Sequence, residues 1–317
     1  MQPLTETVGP IPAMSAENVG IREHSRDSTG PVTVIVPESG WVPLDLGELW
    51  RYRDLLWLLA WRDIAARYRQ SVIGYGWAVL KPVLSMVIFT FIFNRVADIQ
   101  SDGSPYQLFA FTGMLPWLYF SNTILASTAS VVTSSGMLTK VYFPRMVLPV
   151  SSVVVGLVEL AIQGVVLAAL ILYFNGTLVA AGPDSELVTW RFGLGWRTLC
   201  LPLFVALCVL SALAVGLWLT ALNVKYRDVG QAVPFLVQAW MWLSPVVYPS
   251  SLVSPELRPY YGLNPMAGVI EGFRWSILGS TTPDWSMMGM STAVVIVLLV
   301  TGLYYFRRIE SSFADII

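Results

Sequence analysis

The sequence predicts an all-α membrane protein: six transmembrane helices, an N-terminal amphipathic interface helix, and short re-entrant helices between spans five and six on the outer side. Three observations carry this reading. Apolar residues make up 55% of the 317-residue chain and charged residues only 12%, with a mean hydropathy of +0.64; a water-soluble core of that size cannot hide so much apolar surface. The apolar residues gather into runs of about twenty, long enough at the helical rise to cross roughly 30 Å of hydrocarbon. Lysine and arginine concentrate in alternate connectors between those runs, as the positive-inside rule requires of cytoplasmic loops.

Residues 1–44 are rich in Pro, Ser, Thr, Glu and Gly and include Glu6, Glu17, Glu23 and Asp27. They bury too little apolar surface to fold, so they read as a flexible cytoplasmic tail whose one strand candidate is the β-branched run at 32–36. No apolar stretch of the signal-peptide type occurs there. Residues 45–70 read as a helix: Asp45 and Glu48 stand at capping-box spacing, and Leu46, Leu49, Trp50, Leu56, Trp57, Ala60 and Ile64 recur near helical period. Arg51, Arg53, Arg62, Arg67 and Arg69 accompany that stripe. So basic and tryptophan-bearing a helix is too charged to insert and is expected to lie on the membrane surface; an ordinary soluble amphipathic helix is the competing reading.

Residues 71–317 form the six-span transmembrane domain, with spans at about 76–97, 107–131, 147–174, 198–222, 231–249 and 286–306. Placing both termini inside puts fourteen of the nineteen Lys and Arg residues on the inner face. Only Arg95, Arg191, Arg197, Arg258 and Arg274 are left outside. Without the two tail arginines the ratio is still twelve to five, so a multi-pass protein of the cytoplasmic membrane with both termini cytoplasmic is expected. The segment at about 251–280 is a poor span, broken by Pro255, Pro259 and Pro265 and charged at Glu256, Arg258, Glu271 and Arg274. Within it Asn264-Pro265 looks like a helix start, followed by Met266, Val269, Ile270, Phe273 and Ile277 at helical spacing. This piece is expected at the outer face, dipping in and out, which is tolerated only where protein or a water-filled cavity covers its backbone.

Several chemistries are missing. No stretch matches G-x-x-x-x-G-K-[ST], so the chain lacks the loop that cradles nucleotide phosphates. The single histidine, His24, lies in the tail, and no catalytic triad or cysteine nucleophile assembles around it. Cys200 and Cys208 share one apolar run and read as small hydrophobes, with no disulfide and no metal site. A net charge of −1 gives no electrostatic case for nucleic acid.

Candidate sites follow from residues that are out of place. Glu159 stands near the middle of the third span, one turn from Gln163; a central acid costs about 2.5–3.5 kcal/mol, so it is expected to face inward. It is either a pore-lining or proton-coupled carboxylate or one end of a structural hydrogen bond to a neighbouring helix. Between spans two and three, Lys140, Val141, Tyr142, Phe143, Pro144 and Arg145 combine an apolar face with two cations, and between spans four and five lie Tyr226, Arg227 and Asp228. Both segments suit docking into a cleft on a cytoplasmic partner; solvated turns obeying the positive-inside rule are the alternative. Aromatic residues crowd the span ends: Trp117, Tyr119 and Phe120, then Trp240, Trp242 and Tyr248, then Tyr260, Tyr261 and Trp275. An interfacial belt accounts for most of them, while any ring facing a pore offers sugar a flat, uncharged surface.

At this point a resemblance enters. The stretch from Trp41 through Trp50-Arg51-Tyr52-Arg53-Asp54, then Trp61-Arg62-Asp63-Ile64 and Arg67-Tyr68-Arg69-Gln70, resembles the permeases of bacterial polysaccharide ABC exporters of the ABC-2 type. So do Lys140-Val141-Tyr142-Phe143-Pro144-Arg145, Tyr226-Arg227-Asp228, Ser244-Pro245-Val246-Val247-Tyr248, Leu263-Asn264-Pro265-Met266 and Glu271-Gly272-Phe273-Arg274. That family includes O-antigen (Wzm-like), capsule and teichoic-acid exporters. The resemblance implies a channel-forming homodimer paired with two nucleotide-binding ATPase subunits, moving a lipid-linked polysaccharide outward across the cytoplasmic membrane, with membrane lipids as further partners. It implies that this chain binds no cofactor and that ATP and Mg are held by the partner ATPase. It further implies that residues 140–145 belong to the helix coupled to the ATPase. The same resemblance implies that the interface helix, bearing Trp50, Arg51, Arg53, Trp57, Arg62, Arg67 and Arg69, guides the lipid head group, and that the outer element, with Asn264, Glu271 and Arg274, lines the exit. The rival readings are an ABC exporter of drugs or simple lipids and, from another class, a glycan-modifying membrane enzyme or a passive channel.

Overall fold

Five of the six expected spans become helices long and apolar enough to cross a membrane, and the fifth in sequence, at 231–249, does not. The computed structural model describes residues 46–68, 74, 76–99, 101, 103–180, 187–193, 195–254, 256–279 and 283–310, all belonging to one compact unit, Trp41–Ile317. The expected tail with its strand at 32–36, and Arg69, lie outside the described residues. α1 (Leu46–Arg51) and α2 (Arg53–Tyr68) are followed by α3 (Gly76–Phe89), which runs on as a π-helical stretch over Thr90–Val96. Then come α4 (Tyr106–Thr133), the one-turn α5 (Ser135–Leu138) and α6 (Val147–Phe174). A hairpin of β1 (Leu178–Ala180) and β2 (Leu187–Thr189) leads to α7 (Trp196–Leu199), α8 (Leu201–Lys225) and α9 (Val229–Trp242). Last are α10 (Arg258–Tyr261), α11 (Pro265–Ile277) and α12 (Trp285–Glu310).

The membrane-length helices among the described residues are Gly76–Val96, Tyr106–Thr133, Val147–Phe174, Trp196–Lys225 and Trp285–Glu310. The stretch expected as a fifth span at 231–249 is instead a 14-residue helix ending at Trp242, about 21 Å long and shorter than the hydrocarbon layer. Pro245 explains the stop: it has no N–H to continue the ladder and disfavours a helical residue before it. The chain still runs the length of the bundle. Gly230 lies against Asn223 near the end of α8, and the Tyr106 hydroxyl, at the start of α4, donates to the Val247 carbonyl at 2.6 Å. The all-helical expectation also needs one correction, the antiparallel pair Leu178↔Thr189, Val179↔Val188, Ala180↔Leu187. Its β-branched residues flank a Gly-Pro-Asp stretch in the sequence, a composition that favours a hairpin over a continued helix.

α4 is the core. It is buried along most of its length and packs against α3, α6, α8, α9 and α11, as expected of a helix apolar all round. α8 lies parallel to it: Cys208 reaches the Pro116 carbonyl, Thr220 donates to the Ser127 carbonyl at 2.8 Å, and Asn223 to that of Thr128 at 2.9 Å. α6 runs antiparallel, and Gly156 lets the backbones close, since a Cβ there would lie 2.4 Å from Thr123 Oγ1. α12 lies parallel to α8, with Trp218 stacked on Tyr305 at 4.4 Å and Gly302 against the Ala214 carbonyl. α4, α8 and α12 therefore all finish at one end of the bundle, termed here the carboxyl end.

α2 climbs from the carboxyl end beside the first turns of α6. It buries Leu59, Ala60 and Ile64, the last two against Val155, and leaves Trp57, Leu58 and Trp61 exposed, as is Trp50 of α1. At 100° per residue the buried and exposed faces lie about a third of a turn apart, so the helix has two apolar faces, not one. α11 sits under α4, α8 and α12 with all thirteen residues buried.

Candidate functional site

The carboxyl end presents two exposed segments on a firm base. Beyond α5, Val141 and Tyr142 are 57% and 72% exposed, and Lys140 is exposed beside them. The next three residues turn inward. Phe143 is 4% exposed in an apolar cluster with Val131, Met146, Leu217, Val224 and Phe306, Pro144 is buried, and the Arg145 backbone N–H donates to Glu310 Oε1 at 2.9 Å. The Arg145 guanidinium contacts the Glu310 carbonyl, and Arg307 donates to Glu310 Oε2 at 3.1 Å. The six residues read as one docking segment thus divide into three that face out and three that anchor. The second segment, Tyr226, Arg227 and Asp228, is exposed throughout; Val224 joins it to the same apolar cluster, and the Lys225 ammonium lies 5.2 Å from the centre of the Tyr226 ring. Two cation-and-tyrosine surfaces therefore share one end, suited to carboxylates and apolar slots on a partner.

Beside them, Arg62 and Asp63 of α2, Ser130 and Thr133 of α4, Gly136 of α5, and Ser151 and Ser152 of α6 line a polar cleft of about 410 Å³. Arg62 Nε donates to Asp63 at 2.9 Å across its rim. Arg51, at the end of α1, and Arg53, at the start of α2, are exposed, and Arg53 lies over the Trp50 ring at 5.4 Å. Arg67, one turn beyond Asp63, forms an ion pair with Glu159, which also accepts from Asn122 Nδ2 at 3.2 Å. Glu159 is 12% exposed, and its partners stand on two neighbouring helices.

At the opposite end the turns after α9 are held by two polar hubs. Asn264 caps α11 as its spacing to Pro265 implies, Oδ1 accepting the Met266 N–H at 3.0 Å and also Trp240 Nε1 at 3.1 Å. Its Nδ2 donates to Ser244 Oγ at 2.8 Å, and its carbonyl accepts from Ser291 of α12. Arg274, 3% exposed, donates to the carbonyls of Val246 at 2.7 Å and Tyr248 at 3.3 Å while its guanidinium lies 3.6 Å from the centre of the Phe109 ring. Glu271 is buried one turn away. Tyr248 and Tyr261 share a hydroxyl contact of 2.7 Å, and burial together with that contact raises the Tyr261 pKa.

The aromatic candidates separate. Trp117, Tyr119 and Phe120 are buried in the core, Trp117 and Phe120 packing edgewise on Trp240 and Tyr119 reaching the Val153 carbonyl. They face other helices of this chain. Trp242 is 49% exposed and meets Phe89 and Phe93 of α3 and its π-helical extension at 6.3 Å each. Sequence reasoning missed Asn122, Ser291 and Glu310, and singled out Ser244 only as part of a family motif. The only local signal was an acid three residues after Arg307 in the last turn of α12.

The chain is similar in sequence to known proteins. The model of the ABC-2 type transporter family matches residues 54–278. The O-antigen export system permease protein RfbA of Myxococcus xanthus is 30% identical over 270 residues, 84% of this chain and 97% of that protein. A protein of the same name from Klebsiella pneumoniae is 28% identical over 83% of this chain and 95% of its own length. The polysialic acid transport protein KpsM of Escherichia coli is 21% identical over 79% and 92%. The match runs from the first turn of α2 through α11 and covers four of the five long apolar helices, so the chain belongs to the ABC-2 type transporter family of membrane proteins.

Proposed function

We propose that this chain is the membrane permease subunit of an ATP-driven exporter that moves a lipid-linked polysaccharide such as O-antigen across the cytoplasmic membrane. The observation that carries the proposal is the pair of exposed cation-and-tyrosine segments on one end of a helix bundle whose sequence holds no phosphate-binding loop. They suit docking on separate ATPase subunits, which bind ATP and Mg. The cargo class rests on the names of the relatives, which export O-antigen or transport polysialic acid.

In this reading two copies of the chain pair with two ATPases. Each copy crosses the membrane six times, residues 229–248 making the fifth crossing with α9 and the turns that follow, and both termini are cytoplasmic, as the fourteen-to-five charge asymmetry favours. The exposed Trp50 of α1 and Trp57 and Trp61 of α2 face the headgroup zone, and the polar cleft at Arg62 receives the lipid head group. The exposed faces of α3 and α9, with Trp242 beside Phe89 and Phe93, line the channel between the copies. α11 is the re-entrant element beside the outer exit.

The test is reconstitution of the chain in proteoliposomes with a separate nucleotide-binding ATPase subunit from the same organism. Lipid-linked glycan should be exported only with ATP and both subunits, and cysteines at Lys140 and Lys225 should be labelled only from the cytoplasmic side. Export without the ATPase, export of small hydrophobic compounds instead of glycan, or labelling of those cysteines from outside would refute it.

A further inference from the structure

Glu310 joins parts of the chain that the sequence keeps far apart. One carboxylate oxygen accepts the Arg145 backbone N–H, 165 positions away, and the other accepts Arg307. Its own carbonyl accepts the Arg145 guanidinium. The side chains of Arg307 and Glu310 are 17% and 14% exposed, so solvent screens them little. The neighbouring contact of Phe143 with Phe306 and its cluster is apolar and tolerates sliding; the hydrogen bonds of Glu310 fix a position.

What Glu310 fastens is the end of a rod. α12 packs on α8 through the Trp218–Tyr305 stack and the Gly302 contact, and α8 ends directly at Tyr226. At the other end the same two helices grip α11: Phe204 of α8 lies against Gly272, and Ser291 of α12 accepts from Gly268 N–H and donates to the Asn264 carbonyl. From Ser291 to Glu310 is about 28 Å at the helical rise.

We propose that Glu310 is a positioning residue that fastens the segment 140–145 to α12, so that both docking segments push on one α8–α12 pair and the displacement reaches α11 at the far end. This rests on the reading that Lys140, Val141 and Tyr142 dock on an ATPase. The test uses the complete reconstituted transporter and reads three quantities: assembly with the ATPase, ATP hydrolysis, and glycan exported per ATP. Glu310→Ala should leave assembly and hydrolysis within about twofold of wild type and lower export per ATP about tenfold, within the usual range of coupling free energies. Glu310→Gln, whose amide oxygen still accepts the Arg145 N–H, should keep at least half of the coupling. Unchanged export per ATP in Glu310→Ala, or a fall of all three quantities in proportion, overturns the proposal. Should Glu310→Ala fail to fold, Glu310→Asp, too short to reach both partners, is judged by the same criterion. Tyr142→Ala separates the two readings: retained assembly defeats docking whatever Glu310 does, whereas lost assembly with a fully coupled Glu310→Ala defeats the latch alone.

Discussion

Tyr142 and Phe143 are adjacent in sequence and should fail in opposite ways when each is cut to alanine. Phe143, 4% exposed within its apolar cluster, leaves a cavity when truncated, and buried Phe→Ala changes cost about 3–5 kcal/mol. Tyr142 is 72% exposed, and truncation of such a surface residue changes stability by no more than about 0.5 kcal/mol. If Tyr142 is an anchor in a partner's cleft, however, its loss should cost at least about 2 kcal/mol of binding, a roughly thirtyfold weaker complex. The assay pairs thermal unfolding of the detergent-solubilised permease with titration of the purified ATPase onto it. Phe143→Ala should melt at markedly lower temperature. Tyr142→Ala should melt normally and bind about thirtyfold more weakly. Binding by Tyr142→Ala within twofold of wild type, with Lys140→Ala equally silent, would refute the division of the segment into outward and anchoring halves.

Gly156→Ala should destabilise the permease by about 1–3 kcal/mol, because its Cβ would sit 2.4 Å from Thr123 Oγ1; Gly164→Ala, with nothing within 4 Å, is the matched control and should melt as wild type. Arg67→Leu should lower stability by about 1–3 kcal/mol through the partly buried Glu159 it abandons, and adding Glu159→Leu should recover most of it; additive losses in this double-mutant cycle would show that the two side chains do not interact. Asp284 accepts from Ser286 Oγ at 2.6 Å, Ser286 N–H at 3.1 Å and Met287 N–H at 3.2 Å, and the Ser286 contact leads in holding its pKa below the ordinary carboxylate value. Its cap on α12 therefore contributes fully above about pH 4 and is lost as pH falls through the lowered folded value. Asp284→Ala should cost about 1 kcal/mol near neutrality, and the gap to wild type in a thermal melt should close in acid.

Hydropathy located the long helices well, since a run such as 147–174 is mostly apolar despite Glu159 and Gln163 and the helix occupies Val147–Phe174. It said little about which side of each helix faces protein. Lipid tails are as apolar as leucine, so the buried Trp117, Tyr119 and Phe120 and the exposed Trp242 look alike in sequence. The polar partnerships were illegible for a different reason. Arg67 and Glu159 stand 92 positions apart and Arg145 and Glu310 165 apart, and no periodicity connects residues across such gaps. The cap at Asn264 was readable because its donor is two residues away and the chemistry is local.

The broken end of α9 and the buried charge of Arg274 each look unfavourable alone, and their geometry makes them one feature. Arginine deep among apolar helices costs about 2.5–3.5 kcal/mol on insertion scales, and the irregular chain beyond Trp242, where α9 ends ahead of Pro245, carries backbone carbonyls that no helix ladder pairs, each costly where water is absent. Arg274 donates to two of those carbonyls, Val246 and Tyr248, and hydrogen bonds from a charged donor contribute about 1.5–3 kcal/mol each. Its guanidinium also lies over the Phe109 ring, a contact worth up to about 2 kcal/mol when desolvated. These gains exceed the insertion cost, but only while the carbonyls stay free of an internal helix ladder. A residue allowing α9 to continue through 245 would pair those carbonyls along the helix and strand the guanidinium, so Pro245 and Arg274 stabilise each other's presence. Since the same turns carry α9 over to α11, the break also fixes where the buried helix α11 begins.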